Sequence, residues 1–236
     1  MLIGNLDCYQ TSGGQHEGFS HCQPKGGAGK TTLATHLAVA AENHGLTTAL
    51  FDLDQQASAA LWSDRRAEGF PAVVPAQAPR LAGLIEQARQ KGADLVILDT
   101  PPEASAVAVE AIRHADACLI PCRPSGLDLA AIPASILIAK NAGKPFFVVC
   151  NAAPIQGVEV DEMRAALTAA GVEMAPTIMH QRKPYSARMH EGRTASETEP
   201  KGKAATEVQE LFLWVCEKVI MLPNEKVTKL ANQQAA

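Results

Sequence analysis

No apolar run in this sequence approaches the roughly 18–20 residues that a helix needs to cross a bilayer, and the amino terminus lacks a basic segment followed by an apolar core. A helical membrane anchor and a secretory signal are therefore not expected, and the cytoplasm is the expected compartment. CxxC pairs are missing as well. The six cysteines, at positions 8, 22, 118, 122, 150 and 216, show neither that spacing nor the density of a secreted disulfide scaffold, so most of them read as reduced core thiols. His16, His21, Cys22 and Cys8 lie close together but follow no zinc-binding pattern. Neither sign of charge dominates: 21 basic against 25 acidic side chains give a net charge of -4. Any contact with nucleic acid must then come from a local patch rather than from the overall field. Internal repeats and low-complexity tracts are absent too.

What is present suits a globular core. Apolar residues make up 47% of the 236 and charged residues 19%, far from the polar, charge-rich profile of disorder, and the length fits one generous domain. Short β-type apolar runs occur at 48–53, 95–98, 117–120 and 146–150, each followed by polar, proline or aspartate punctuation. Between them lie helical stretches at 31–43, 58–66, 80–90, 104–114, 127–141 and 159–170, with Gly45, Gly92, Gly143 and Gly171 as carboxyl-terminal stops. Parallel strands need crossovers, and the alternation supplies them. It predicts an α/β fold, a doubly wound and mostly parallel sheet with helices on both faces and ligands at the strands' carboxyl ends. A further stripe, Val208, Leu211, Phe212, Val215, Val219 and Leu222, predicts a helix over 204–222 that packs on the sheet and stops before Pro223. Residues 224–236 are polar and expected to fray.

The strongest single signal is Lys25-Gly26-Gly27-Ala28-Gly29-Lys30-Thr31-Thr32, a glycine-rich turn directly before a helix with the GK[ST] ending of a phosphate loop. Glycines let successive backbone N–H groups point inward at a phosphate, and the helix amino terminus adds partial positive charge. Lys30 is placed to reach the β and γ phosphates and the Thr31 hydroxyl to bind Mg²⁺. The general pattern begins with glycine where this chain has Pro24 or Lys25.

This segment resembles the deviant Walker A box of the ParA/MinD family of P-loop ATPases, and the likeness runs over roughly residues 25–215. Phe51-Asp52-Leu53-Asp54-Gln55-Gln56 is similar to the family's second acidic box, with Gln55 in place of its proline. Leu95-Val96-Ile97-Leu98-Asp99-Thr100-Pro101-Pro102 resembles its Walker B strand and switch, and Pro124-Ser125-Gly126-Leu127-Asp128 the loop after the next strand. The resemblance implies Mg²⁺ and ATP as cofactors, bound through 25–32, and a homodimer in which Lys25 reaches the partner's phosphates. It implies that Asp99 holds Mg²⁺ through water, that Asp52 orders the same shell, and that Asp54 positions the attacking water. An aspartate ending a buried apolar strand is costly unless a cation or hydrogen bonds compensate it, although capping the next helix would serve as well. Asn151 resembles the family's adenine-contacting asparagine, and a plain turn asparagine fits the same position.

The chain departs from the family at its start. A phosphate loop is fed by a central parallel strand that reads as a near-continuous apolar run, whereas 13–24 has only Phe19 and Cys22 as clearly apolar members. Residues 1–24 therefore read as an atypical leader, 25–222 as the ATPase domain and 223–236 as a tail. A lost first strand, and with it an impaired ATPase, stays open.

Within the family, the small ParA type implies plasmid or chromosome partition, with nonspecific double-stranded DNA and a centromere-bound adaptor protein as partners and the nucleoid as the place of work. Arg182, Lys183, Arg188, Arg193, Lys201 and Lys203 offer six positive charges among Glu191, Glu197 and Glu199, either a phosphate-binding patch or a solvated loop of mixed charge. A conjugation or cargo-positioning ATPase shares every motif and is the alternative. A membrane cycler is disfavoured by the few large apolar residues in 226–236, and an iron–sulfur ATPase by the lack of a second cysteine in 99–106 to match Cys122.

Overall fold

The computed structural model of the protein describes residues 4–5, 28–101 and 105–219. The chain alternates strand and helix as the periodicity predicts. After the two-residue β1 (Gly4–Asn5) come α1 (Lys30–Asn43), β2 (Thr48–Asp52), α2 (Ser58–Ser63) and β3 (Ala72–Pro75). A second run follows with α3 (Leu81–Gln90), β4 (Leu95–Asp99), α4 (Ala106–Arg113) and β5 (Cys118–Cys122). Next are α5 (Gly126–Asn141), β6 (Phe146–Cys150), α6 (Glu159–Ala169), the short α7 (Pro184–Ala187) and α8 (Ala195–Thr198), and finally α9 (Lys203–Val219).

Among the described residues the strands form two ladders, one in the order β1-β4-β2-β3 and the other β5-β6. All pairings are parallel except that of β1, which lies antiparallel against β4 with Gly4 opposite Val96. Every residue of β2, β4 and β5 is buried, which is why these strands read as unbroken apolar runs rather than alternating ones. Parallel register brings the carboxyl ends level: Asp52 lies opposite Asp99 and Cys122 opposite Cys150. The polar segment 13–24 and the tail 224–236 fall outside the described residues.

Helix α1 is buried along most of its length, from Leu33 through Ala41, and its small residues let it lie close against β2 and β4. It stops where Gly45 takes a left-handed conformation, φ 78°. The serines that precede α4 and α5 cap them: Ser105 accepts from the Ala108 N–H and Ser125 from that of Asp128. The stripe of α9 is buried as expected at Val208, Leu211, Phe212 and Val215, each worth roughly 1.5–3 kcal/mol on removal from water.

Three features differ from the sequence expectation. The helix predicted over 58–66 ends at Ser63, and residues 64–66 continue as turns. Strand β3, which the pattern did not mark, is an edge strand whose residues are mostly exposed, so it carries no long apolar run. Helices α7 and α8 are too short to show a period. The four described cysteines, Cys118, Cys122, Cys150 and Cys216, are free and buried, in keeping with core thiols, while Cys8, His16, His21 and Cys22 lie outside the described residues.

Candidate functional site

The carboxyl ends of β2, β4, β5 and β6 face the turn that opens α1. Lys25, Gly26 and Gly27 of the expected phosphate loop lie outside the described residues, but Ala28 to Thr32 are placed. Gly29 has φ 81°, and a Cβ there would meet the side-chain amide of Asn151. The left-handed backbone at position 29 favours glycine, and the Asn151 amide packs closely against it. Asn151, just past β6, donates from Nδ2 to the Ala28 carbonyl at 2.6 Å, so it fixes the turn from the opposite ladder. Lys30 is buried, 7% exposed, at the first position of α1.

The three aspartates singled out by sequence have different surroundings. Asp99 is buried, and neither of its carboxylate oxygens has a hydrogen-bond partner among the described residues. Burial lifts its pKa to about 6, and the neighbouring Thr31 hydroxyl and Lys30 charge draw it back only in part. An orphaned, buried carboxylate next to a threonine hydroxyl is a hard oxygen donor set, suited to Mg²⁺. Asp52 is spent differently: Oδ2 accepts from the Ala59 and Ala60 N–H groups at 2.9 and 3.0 Å, and Oδ1 from Asp54 N–H at 3.1 Å. It therefore anchors the start of α2, and burial still raises its pKa against those bonds. Asp54 is half-buried in the following loop and accepts from Gln56 N–H.

Beside the turn lies a cavity of about 310 Å³. Gly29, Thr32 and His36 form one side, Arg123 and Asn151 the strand ends, and the segment 179–186 the far wall. His36 is fully buried. Its Nδ1–H donates to the Thr32 carbonyl at 2.7 Å, its Nε2 accepts from Ala195 N–H at 3.1 Å, and Tyr185 meets it edge-on at 5.3 Å. With both nitrogens engaged as a neutral ring, burial pushes its pKa down to about 4.

The far wall is tied to α9. Glu207 accepts from His180 Nδ1–H, Arg182 Nε–H and the Tyr185 hydroxyl, each at 2.8 Å. Burial alone would raise its carboxyl, but these donors hold it below the ordinary value. A second buried cluster joins the end of α2 to α8. Arg66, its side chain 1% exposed, stacks 4.5 Å from the Trp62 ring and makes two bonds to Glu197, and it donates to the Gly192 carbonyl at 2.6 Å. Glu197 in turn closes the capping box on Thr194.

The six basic residues expected to meet DNA do not share one environment. Lys183, Lys201 and Lys203 are exposed. Arg188 pairs with Glu191, Arg193 donates to the Glu197 carbonyl at 3.1 Å, and Arg182 turns inward to Glu207 and the cavity. His36, Arg123, Tyr185 and Glu207 were not legible as site residues in the sequence. Glu207 alone left a trace, an acid on the same helical face as Ala204 and Leu211, where a buried charge demands partners. Among the described residues no group of three metal-ligating side chains forms, and no helix is long and apolar enough to cross a membrane.

Comparison with known proteins follows the same lines. The family model for the CobQ/CobB/MinD/ParA nucleotide binding domain matches residues 19–194. Protein ParA of Rhizobium radiobacter is 32% identical over 174 residues, which span 69% of this chain and 78% of that one. Maintenance of carboxysome distribution protein A of Gloeobacter kilaueensis is 40% identical over 114 residues, 46% of this chain and 50% of its own. The septum site-determining protein MinD of Pyrococcus horikoshii, solved with Mg-ADP, shares the fold at a TM-score of 0.68 and 18% identity, over 87% of this chain and 98% of that one.

Proposed function

This chain belongs to the CobQ/CobB/MinD/ParA family of nucleotide-binding domains, and from that premise we propose that it is an ATP-driven dimerisation switch for plasmid or chromosome partition. The observation that carries the reading is the orphaned Asp99 carboxylate beside Thr31 and the buried Lys30, at the mouth of a turn whose left-handed backbone at 29 favours glycine. Thr31 and Asp99 would hold Mg²⁺, which would supply neutralisation of the phosphates' charge. Lys30 binds the phosphates from the first turn of α1, with Gly26, Gly27, Ala28, Gly29 and Thr32 giving backbone donors. Asp52 keeps the loop after β2 in place through the start of α2. Asp54, on that loop, orients the attacking water. Asn151 closes the nucleoside end, and Lys25 completes the site across the dimer.

Turnover is slow on this account, since the site supplies phosphate ligands and no strong general base. The ATP-bound dimer attaches to nonspecific DNA through exposed basic residues, with Lys183, Lys201 and Lys203 leading, and an adaptor protein at a centromere-like site stimulates hydrolysis and release. Work on the nucleoid follows from that attachment. A second reading, positioning of another cargo, is favoured by the 40% identity to the carboxysome distribution protein over half its length. Both readings share the nucleotide chemistry and differ in the adaptor.

Isothermal titration with Mg-ATP tests the nucleotide site. The unaltered chain is expected to bind, Lys30→Ala to lose binding altogether, and Asp54→Ala to bind normally but fail to turn over. Undiminished affinity in the Lys30 variant would overturn the site.

A further inference from the structure

Glu207 stands behind the cavity rather than in it. It is 8% exposed on the inner face of α9, and every side chain it binds, His180, Arg182 and Tyr185, lines the cavity. It also accepts from the His180 backbone N–H at 3.2 Å. One carboxylate thus fixes the backbone at 180 and three flexible polar side chains above it.

Such a hub is not needed to dock α9. Val208, Leu211, Phe212 and Val215 already bury that helix, and Phe212 packs on the ring of His44, which follows α1, at 5.0 Å. The hub instead acts on the wall. An arginine and a tyrosine left free beside a ligand site each lose rotamer freedom when the ligand arrives, and a bond made beforehand removes that cost. Arg182 has a further reason to be held: without Glu207 its positive charge would be unpaired at the cavity edge, free to leave the wall for solvent. At about 310 Å³ the cavity matches the small end of ligand sites, and its lining takes in Gly29 and Thr32 of the turn but not Lys30, Thr31 or Asp99.

We propose that Glu207 is a positioning residue for nucleoside recognition, holding His180, Arg182 and Tyr185 so that the cavity receives the nucleoside of a nucleoside triphosphate while α1 receives its phosphates. This deepens the nucleotide reading and rests on it. The consequence is a division of labour: loss of Glu207 weakens the nucleoside end and spares the phosphate end. Glu207→Gln keeps the volume but presents an amide N–H₂ to donors that need an acceptor.

The test compares Mg-ATP with inorganic tripolyphosphate, which carries the phosphates and no nucleoside. In Glu207→Gln the dissociation constant for Mg-ATP is expected to rise about tenfold, that for tripolyphosphate to stay within about twofold, and kcat at saturation to stay within about twofold. Tyr185→Phe, which removes one bond of the hub and keeps the ring, should show the same split with a smaller rise, and it carries the test if the Gln variant does not fold. Equal weakening of both probes would mean a general loss of fold and overturn the proposal, as would no weakening of either. Failure of the unaltered chain to bind Mg-ATP would instead overturn the nucleotide reading itself, and this proposal with it.

Discussion

His36 is a neutral ring locked into the core by bonds at both nitrogens. It sits one turn after the phosphate loop, on a helix whose composition reads as ordinary core, yet both ring nitrogens are bonded and burial holds its pKa near 4. The unfolded chain protonates it with a pKa near 6.5, so the unfolded state binds more protons between those values, and stability falls as pH drops through that window. Between pH 7 and pH 5 the loss amounts to about 2 kcal/mol. Urea unfolding at both pH values, with His36→Gln as control, should show a change between them about 2 kcal/mol more unfavourable in the unaltered chain than in the variant, the buried Asp99 carboxyl acting in the opposite sense in both. Equal slopes for the two would show that His36 titrates normally. The aspartates were more legible, because a charge that ends a buried apolar strand is conspicuous in sequence. Their division of labour was not: Asp52 anchors α2 whereas Asp99 keeps both oxygens unengaged, a difference set by which N–H groups the fold brings near.

At the scale of elements, the buried strands β2, β4, β5 and β6 were readable because a parallel sheet covered on both faces imposes continuous apolar runs. β3, α7 and α8 were not, being an exposed edge and two single turns whose positions are set by tertiary contacts. One of those contacts is the Arg66 cluster. Arg66 joins the loop after α2 to Gly192 and Glu197, and a Cβ at Gly192 would meet the Arg65 and Arg66 backbone at 2.7 Å. Residues 131 apart in sequence give no local signal of this pairing. Removing one partner of a buried pair leaves the other uncompensated, at about 3–5 kcal/mol. Arg66→Ala is therefore expected to lower stability by about 3 kcal/mol in denaturant unfolding, and Arg66→Lys to recover little of it, since one ammonium cannot make the two bonds to Glu197 and the stack on Trp62. A loss under 1 kcal/mol would show that α8 is held by other means.

At the scale of the whole molecule, the reading concerns how a chain of net charge -4 can hold DNA. The inward turn of Arg182 reduces the basic set, and on the proposed reading the exposed lysines of one protomer would bind DNA weakly. Two such surfaces on the proposed dimer would act together through effective concentration. Phosphate-dominated binding releases counterions and weakens steeply with salt. Anisotropy titrations with duplex DNA at several salt concentrations should thus show strong binding only with ATP, a steep salt slope, and uniform weakening across sequences in Lys183→Glu. Nucleotide-independent affinity would place the DNA surface elsewhere.

All of this turns on whether ATP makes the dimer. The direct measurement is the solution mass by light scattering, taken without nucleotide and with a nonhydrolysable ATP analogue and Mg²⁺, for the unaltered chain and for Lys25→Ala. The account predicts a monomer that doubles in mass with the analogue, and a Lys25 variant that binds the analogue yet stays monomeric. An unaltered chain that binds the analogue and remains a monomer would contradict it.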